Sequence, residues 1–231
     1  MATETRPSAV LWDFDGTMLD TEKVWIASEI QVMADYGAQW TYERGLALCG
    51  SAAAVSSRLL HDEITAQLGR PPKESPESLW ARVYLRVKRY LEDEGLPWLP
   101  GARELVESLS ELDVPMAVVS ASPPDLIGAG LDQMPAHWFR TVVSGPEMPR
   151  GKPAPDSYLM AADRLGVPSP DCIVIEDSVP GTTAGRAAGA VVIAVPCMHP
   201  LPTAEGQVNL DSLAGLGPED LTRIWYEVRG R

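Results

Sequence analysis

Five short runs of apolar residues recur along the chain, and most are apolar nearly throughout rather than alternating with polar positions. They occupy residues 9–12, 116–119, 141–143, 173–175 and 191–195. Continuous apolar runs are typical of strands in a parallel sheet that is covered on both faces. Helical patterns separate the later runs, as in residues 102–112 and 157–165. The chain therefore predicts an α/β fold with a doubly wound parallel sheet.

The interval between the first run and the second holds about a hundred residues, which is too many for one crossover connection. Its apolar positions return at helical spacing, at Ile26, Ile30, Met33, Leu79, Val83 and Val87. We therefore expect two domains. Residues 1–21 and 97–231 form the sheet-containing core, and residues 22–96 form an all-helical insert.

Charge limits the class of partner. The 231 residues carry a formal net charge of −13 and have no long basic run. Nucleic acid and anionic membrane surfaces would be repelled, so we expect neither as a partner. An anionic substrate would need a local cation.

Cysteine usage and the start of the chain bear on the compartment. Cys49, Cys172 and Cys197 form no CxxC pair, which argues against a disulfide framework and against a zinc site. The stretch MATETRPS is polar and lacks the apolar segment of a secretory signal. We expect a cytoplasmic protein.

Polar residues follow four of the five predicted strands. These residues are Asp13, Ser120, Lys152, Glu176 and Asp177. Open α/β sheets bind their ligands at the carboxyl ends of the strands, so we expect these side chains to meet at one edge.

The predicted edge collects acidic residues, because Asp15 follows Asp13 after one residue. Carboxylates gathered so closely require a cation, and Mg²⁺ prefers hard oxygen ligands together with substrate phosphate oxygens. Lys152 supplies a further positive charge, and Ser120 with the neighbouring backbone N–H of Ala121 can donate to phosphate oxygens. This set predicts phosphoryl transfer through an aspartyl phosphate, in which one aspartate attacks and the other exchanges protons.

The DxDG spelling also begins a calcium loop of the EF-hand kind. The twelfth position counted from Asp13 is Val24, where such a loop needs a bidentate glutamate. An apolar strand rather than a helix precedes the motif. The calcium-loop interpretation therefore fails.

Four motifs together resemble those of the haloacid dehalogenase superfamily: DFDGT, VVSAS, GKPAPD and IVIEDSVPGTTAGRAAGA. The likeness runs from about residue 10 to residue 195, in the same order and spacing. The subgroup resembled contains sugar-phosphate phosphatases and β-phosphoglucomutase. It implies a Rossmann-like core, a helical cap domain inserted after the first strand, and a monomer.

The resemblance also implies roles for individual residues. Asp13 is the nucleophile and Asp15 the general acid/base. The implied Mg²⁺ ligands are Asp13, Asp177 and the backbone carbonyl of Asp15. Ser120 and Lys152 hold the transferring phosphoryl group. The acid two residues after the nucleophile, which the dehalogenases of the superfamily lack, favours phosphate chemistry.

Other positions are less specific. Glu176 is either a metal ligand or a carboxylate behind the metal, and Thr17 is expected to orient Asp15 or its loop. Trp25 either contacts the substrate or packs in the helical core. The β-phosphoglucomutase pattern places a histidine at Trp25 and an arginine near Ala53, and this chain has neither.

These expectations favour a Mg²⁺-dependent phosphatase of small phosphorylated metabolites, with sugar or polyol phosphates first. One alternative is a phosphomutase. Another, of a different class, is a phosphoaspartate receiver module, although a receiver needs neither Asp15 nor a helical insert.

Overall fold

The computed structural model describes residues 6–49, 51 and 53–230. Within them lie six strands: β1 (Ala9–Trp12), β2 (Met116–Val119), β3 (Thr141–Val143), β4 (Cys172–Glu176), β5 (Val191–Ala194) and β6 (Gln207–Asn209). The same residues form nine α-helices: α1 (Glu22–Asp35), α2 (Tyr42–Leu46), α3 (Ala53–Leu68), α4 (Pro76–Glu94), α5 (Ala102–Glu111), α6 (Pro124–Leu131), α7 (Asp156–Leu165), α8 (Val179–Ala187) and α9 (Pro218–Arg229).

The strands form one sheet in the order β3-β2-β1-β4-β5-β6, and every neighbouring pair is parallel. In this register Leu11 lies opposite Ala117 on one side and Val174 on the other. The predicted α/β fold with a doubly wound parallel sheet is confirmed.

The sheet has one strand that the hydrophobic pattern did not predict. The edge strand β6 has three residues, QVN, of which only one is apolar. A single apolar residue gives no hydrophobic run to detect. The pairing of β6 is decided by its sheet neighbour β5 rather than by the strand's own sequence. The fourth strand also extends one residue further at each end than expected, and the fifth ends at Ala194 instead of residue 195.

Of the described residues, 6–20 and 97–230 form one compact unit. Its core contains side chains from β1, β2, β4 and β5, including Leu11, Val119, Val174 and Val192. Tyr158 of α7 lies in the same cluster and is fully buried. The helices that flank the sheet therefore cover strands whose central residues are apolar.

Residues 21–96 form a second compact unit, which is helical. The boundaries lie after Asp20 and after Leu96, the first of them one residue before the expected boundary. The helix α4 begins at Pro76, directly after its N-cap Ser75, and buries Leu79, Val83, Val87 and Leu91. These positions follow the three- and four-residue spacing that places side chains on one face of a helix.

The stretch LCGSAAAVSS in the helical insert is partly helical. The helix α3 begins at Ala53 and includes the last five residues of that stretch, while residues 50 and 52 lie outside the described part of the chain. In the described residues, no helix combines the length and apolar character that crossing a membrane requires.

Candidate active site

The first strand brings Asp13 to the carboxyl edge of the sheet. Trp12, the last residue of β1, lies opposite Ile175 of β4, and the Asp13 backbone N–H donates to the Ile175 carbonyl at 3.0 Å. The chain then turns at Gly16, which has a φ of +76°. A Cβ on Gly16 would lie 2.2 Å from Asp177 Oδ2. Glycine therefore allows both the turn and its close approach to the end of β4.

The ammonium of Lys152 is bound to three acceptors. Its Nζ donates to Asp13 Oδ1 at 2.5 Å, to Glu176 Oε1 at 2.6 Å and to the Val119 carbonyl at 3.2 Å. An ammonium has three protons, so these bonds engage all its donors. The Lys152 and Asp13 side chains are each 9% exposed and that of Glu176 is 0% exposed. The two ion pairs are thus shielded from water. Solvent and salt therefore screen their attraction little.

The carboxylate of Glu176 accepts five hydrogen bonds. Oε1 accepts from Lys152 Nζ at 2.6 Å and from Tyr158 Oη at 2.8 Å. Oε2 accepts from the backbone N–H groups of Asp177 and Ser178, at 3.0 and 3.1 Å, and from Ser178 Oγ at 3.0 Å. Because both oxygens are engaged, the geometry favours Glu176 as a support for Lys152 over a direct metal ligand.

The side chain of Asp15 is held by two serines at the end of β2. Ser122 Oγ donates to Asp15 Oδ2 at 2.7 Å, and Ser120 Oγ donates to the same oxygen at 3.2 Å. Ser120 Oγ in turn accepts the Ser122 backbone N–H at 2.9 Å. Sequence reasoning placed Ser120 on the phosphate and missed Ser122. The signal available was the second serine of VVSAS, two residues further along the same strand end.

Thr17 contacts the end of β4, so of the two expected roles its hydrogen bond favours orientation of the loop over direct orientation of Asp15. Its Oγ1 donates to Asp177 Oδ1 at 3.3 Å, which joins the turn after β1 to the end of β4. The carboxylate that it orients is therefore Asp177, and the hydroxyls on Asp15 come from VVSAS instead.

Burial and neighbouring charges shift the pKa values of the central ion pair. Desolvation raises the pKa of Asp13 well above its usual range; the Glu176 carboxylate adds to that rise, and Lys152 opposes it. Desolvation alone would lower the pKa of Lys152, but the charges of Asp13 and Glu176 together raise it. The arrangement therefore holds a cation beside an aspartate that is costly to ionise in isolation.

Three carboxylates of this edge can also approach one cation. Asp13, Glu176 and Asp177 each offer an oxygen, and these oxygens lie within 4.8 Å of one another. Hard oxygen donors of this kind fit a divalent cation such as Mg²⁺. The Asp15 carboxylate is outside this set and accepts hydrogen bonds from the two serines. The atom of Asp15 that was expected to bind the metal is its backbone carbonyl.

Two further positions, Trp25 and Ala121, were expected to contact the substrate. Trp25 of α1 stacks on Trp80 of α4, with ring centroids 5.4 Å apart and planes 12° apart, and packs against the core of the helical unit. This contact favours the packing interpretation of Trp25. Ala121 is exposed at the strand end, and its carbonyl lies against Gly145, where a Cβ would come within 2.1 Å of the oxygen.

Comparison with known proteins decides the family. A sequence profile of haloacid dehalogenase-like hydrolases matches residues 10–195. The chain belongs to this family. The predicted resemblance is thereby confirmed.

Several curated relatives of this chain are named as phosphatases. Hexitol phosphatase B from Escherichia coli is 30% identical over 233 residues, which cover 96% of this chain and 99% of that protein. A bifunctional riboflavin kinase/FMN phosphatase from Arabidopsis thaliana is 32% identical over 193 residues, or 83% of this chain. The chain spans about half of that longer protein, 49% of its length. This haloacid dehalogenase-like chain is an enzyme, a hydrolase of the phosphatase type.

Solved structures agree on the fold. The crystal structure of a β-phosphoglucomutase from Clostridium difficile superposes with a TM-score of 0.78, covering 97% of this chain and 99% of that one, at 21% identity. This likeness concerns the fold alone. The roles of individual site residues in this haloacid dehalogenase-like hydrolase stay predictions.

Proposed function

We propose that this hydrolase is a Mg²⁺-dependent phosphatase of small phosphorylated metabolites, with sugar or polyol phosphates as the leading substrate class. The observation that carries the proposal is the setting of Asp13. This buried carboxylate follows β1, lies 2.5 Å from the Lys152 ammonium, and shares a possible cation position with Asp177. The similarity to hexitol phosphatase B supports the substrate class.

In the proposed reaction a carboxylate oxygen of Asp13 attacks phosphorus as the bond from phosphorus to the ester oxygen breaks. Asp15 gives its proton to the leaving alkoxide and then accepts a proton from water. That water attacks the acyl phosphate, releasing inorganic phosphate and restoring Asp13. Each turnover therefore uses one ester and one water, and both aspartates return to their starting states.

The cation would be held by Asp13, Asp177 and the backbone carbonyl of Asp15. When bound, Mg²⁺ neutralises part of the negative charge on the phosphate oxygens. Lys152 adds a second positive charge on the side of Asp13. These two charges answer the need for local cations in a chain with a net charge of −13.

The two serines divide their work in this proposal. Ser120 turns its hydroxyl from Asp15 to a phosphate oxygen when substrate binds. Ser122, which makes the shorter bond to Asp15 at 2.7 Å, keeps that carboxyl group oriented toward the leaving oxygen. A small-molecule substrate, a monomer and a cytoplasmic location complete the proposal, and they rest on the sequence-based expectations.

The test is phosphate release from a panel of sugar, polyol and short-chain acid phosphates, measured with Mg²⁺ and with a chelator. Native chain and Asp13→Asn are compared. We expect release that requires both Mg²⁺ and Asp13, and the preferred panel member names the substrate class. Release that survives in Asp13→Asn contradicts the proposal.

The same assay separates the phosphatase from the phosphomutase alternative. Products are resolved by chromatography as well as by free phosphate. Isomerised sugar phosphate in excess of free phosphate, with activation by a sugar bisphosphate, would support the phosphomutase instead.

A further inference from the structure

Tyr158 lies behind the candidate site and contacts its charged network twice. Its Oη donates to Glu176 Oε1 at 2.8 Å. Lys152 Nζ lies 5.2 Å from the centroid of its ring, within the range of a cation–π interaction. One residue therefore contacts the anion with its hydroxyl and the cation with its ring.

The position of this hydroxyl is set by the core of the α/β unit. Tyr158 is fully buried, and its ring packs in the cluster that includes Leu11 and Val174. Close packing of this kind leaves a ring few alternative positions. The hydroxyl therefore presents a donor at a point that the fold determines.

The carboxylate that receives this donor is confined from another direction as well. Gly181 of α8 lies so close that a Cβ on it would come within 1.7 Å of Glu176 Oε1. Oε1 is thus enclosed by Gly181, by the Tyr158 hydroxyl and by the Lys152 ammonium. Its position determines where the ammonium lies relative to Asp13.

We propose that Tyr158 is a positioning residue, which acts through Glu176 to hold the Lys152 ammonium at Asp13 and the transferring phosphoryl group. The proposal rests on the phosphatase function above. As Asp13 forms its bond to phosphorus it loses negative charge, so its attraction for Lys152 falls. Glu176 then becomes the carboxylate that retains the ammonium, and a fixed Oε1 keeps it in place.

Removing the hydroxyl alone is the first test. Tyr158→Phe keeps the ring, and we expect kcat to fall about tenfold, the size expected for a hydrogen bond to a charged group. KM for the substrate should change less than twofold, because Tyr158 contacts the network on the phosphate side and not the leaving-group portion of the substrate. Tyr158→Leu, which also loses the ring, should lower kcat further.

The neighbouring residue provides a matched control. Ser157 is also fully buried on α7, and in the described part of the chain its Oγ has no hydrogen-bond partner. Ser157→Ala removes a buried hydroxyl from the same helix and should leave kcat within twofold. An equal loss in Ser157→Ala and Tyr158→Phe would mean that disturbance of α7, and not positioning, lowers the rate.

A double-mutant comparison tests whether the effect passes through Glu176. In a Glu176→Gln background, Tyr158→Phe should change kcat by less than twofold, because its target is already altered. A tenfold loss in both backgrounds overturns the proposal. Where turnover is too slow, the affinity for orthovanadate with Mg²⁺ is measured by calorimetry and compared in the same way.

Failure of this inference differs from failure of the proposed function. Phosphate release by native chain with unchanged kcat in Tyr158→Phe rejects the positioning role and leaves the phosphatase in place. Absence of phosphate release from every panel member rejects the phosphatase. The vanadate comparison still decides the role of Tyr158 in that case, since unchanged affinity in Tyr158→Phe rejects it.

Discussion

The α/β unit and the helical unit each bury a glutamate beside aromatic residues, and the two carboxylates have different surroundings. Glu176 is 0% exposed and accepts hydrogen bonds from an ammonium, two hydroxyls and two backbone N–H groups. Glu29 of α1 is 3% exposed, and Trp40 Nε1 donates to its Oε2 at 3.0 Å. Burial is therefore nearly equal, while the donors differ in number and in charge.

The consequence for Glu29 is a shifted titration. Desolvation raises its pKa to about 7, with the Trp40 hydrogen bond opposing the rise and the charge of Glu22 adding to it. A buried carboxylate becomes part of a charged network only where a cation and several donors converge on it. One neutral indole donor leaves a group whose ionisation costs stability.

Removing the cation from the α/β unit should have the largest effect. Lys152→Met leaves Asp13 and Glu176 buried without their partner, so the free energy of unfolding should fall by about 3 to 5 kcal/mol. Phosphate release should be lost as well. Urea unfolding with chelator present measures the first effect without a metal ion in place of the ammonium.

A surface pair provides the control for that change. Lys88 Nζ lies 3.9 Å from Glu92 Oε1 at i,i+4 spacing, and both side chains are partly exposed. Lys88→Met should alter the free energy of unfolding by less than about 0.5 kcal/mol. Equal costs at the two lysines would remove the distinction between the buried network and an ordinary surface pair.

Neutralising the other glutamate should stabilise the helical unit in a pH-dependent way. The pKa of Glu29 in the folded chain, about 7, lies above its ordinary value of 4.5. The stabilising neutral form is therefore fully present below pH 4.5, and stability is lost as the pH rises through 7. At pH 8, the free energy of unfolding of Glu29→Gln should exceed that of the native chain by about 2 to 3 kcal/mol. At pH 4.5 the two values should differ little.

Hydrogen exchange of amides in residues 21–96 resolves this effect from unfolding of the α/β unit. Glu92→Gln, an exposed change in α4, is the control and should show no comparable gain between the two pH values. A difference between Glu29→Gln and native chain that stays constant from pH 4.5 to pH 8 would show that ionisation of Glu29 is not its cause.

A smaller effect is expected from removing one serine hydroxyl that donates a hydrogen bond to a site carboxylate. Ser122→Ala should lower kcat about tenfold, since Asp15 loses its shorter hydroxyl donor while Ser120 remains. Steady-state phosphate release measures the change. Ser144 Oγ donates to Glu147 Oε1 at the same 2.7 Å, so Ser144→Ala removes an equivalent bond elsewhere. A similar rate loss in both variants would contradict the orienting role of Ser122.

The smallest effect concerns a carboxylate that is partly exposed. The Ser144 hydroxyl, and after it the Arg164 guanidinium, lower the pKa of Glu147. Its contribution to stability is therefore present above the ordinary value of 4.5 and is lost as the pH falls below it. Glu147→Gln should cost less than about 1 kcal/mol at pH 7 and less still at pH 2, as measured by thermal unfolding. An undiminished cost at pH 2 would contradict this assignment.

The strands of the core show how much the sequence could predict. The bounds of β1, β2 and β3 agree with the apolar runs. Both β1 and β2 are buried at every position, and strands buried on both faces require apolar residues throughout. The edge strand β6 was missed, since its pairing is decided by β5 and not by its own residues. No bound for the start of α3 followed from the sequence, because alanines and serines carry little periodic signal.

The candidate site shows the same division. Strand-end positions were sufficient to predict that Asp13, Lys152 and Glu176 would meet, and the structure brings them within hydrogen-bond distance. Tyr158 could not be predicted, because α7 reaches the site from the side of the core. Ser122 had a visible sequence signal, but nothing in the sequence indicated which carboxylate its hydroxyl would contact.

The sequence by itself determined the family, the parallel sheet and the edge at which the charged residues collect, because these follow from hydrophobic periodicity and from residues next to strands. The tertiary structure alone decided which oxygen each donor reaches. Thr17 and Asp177 are 160 positions apart and yet form a hydrogen bond of 3.3 Å. Such contacts depend on tenths of an ångström in the packing of distant segments, and a one-dimensional pattern carries no measure of that distance.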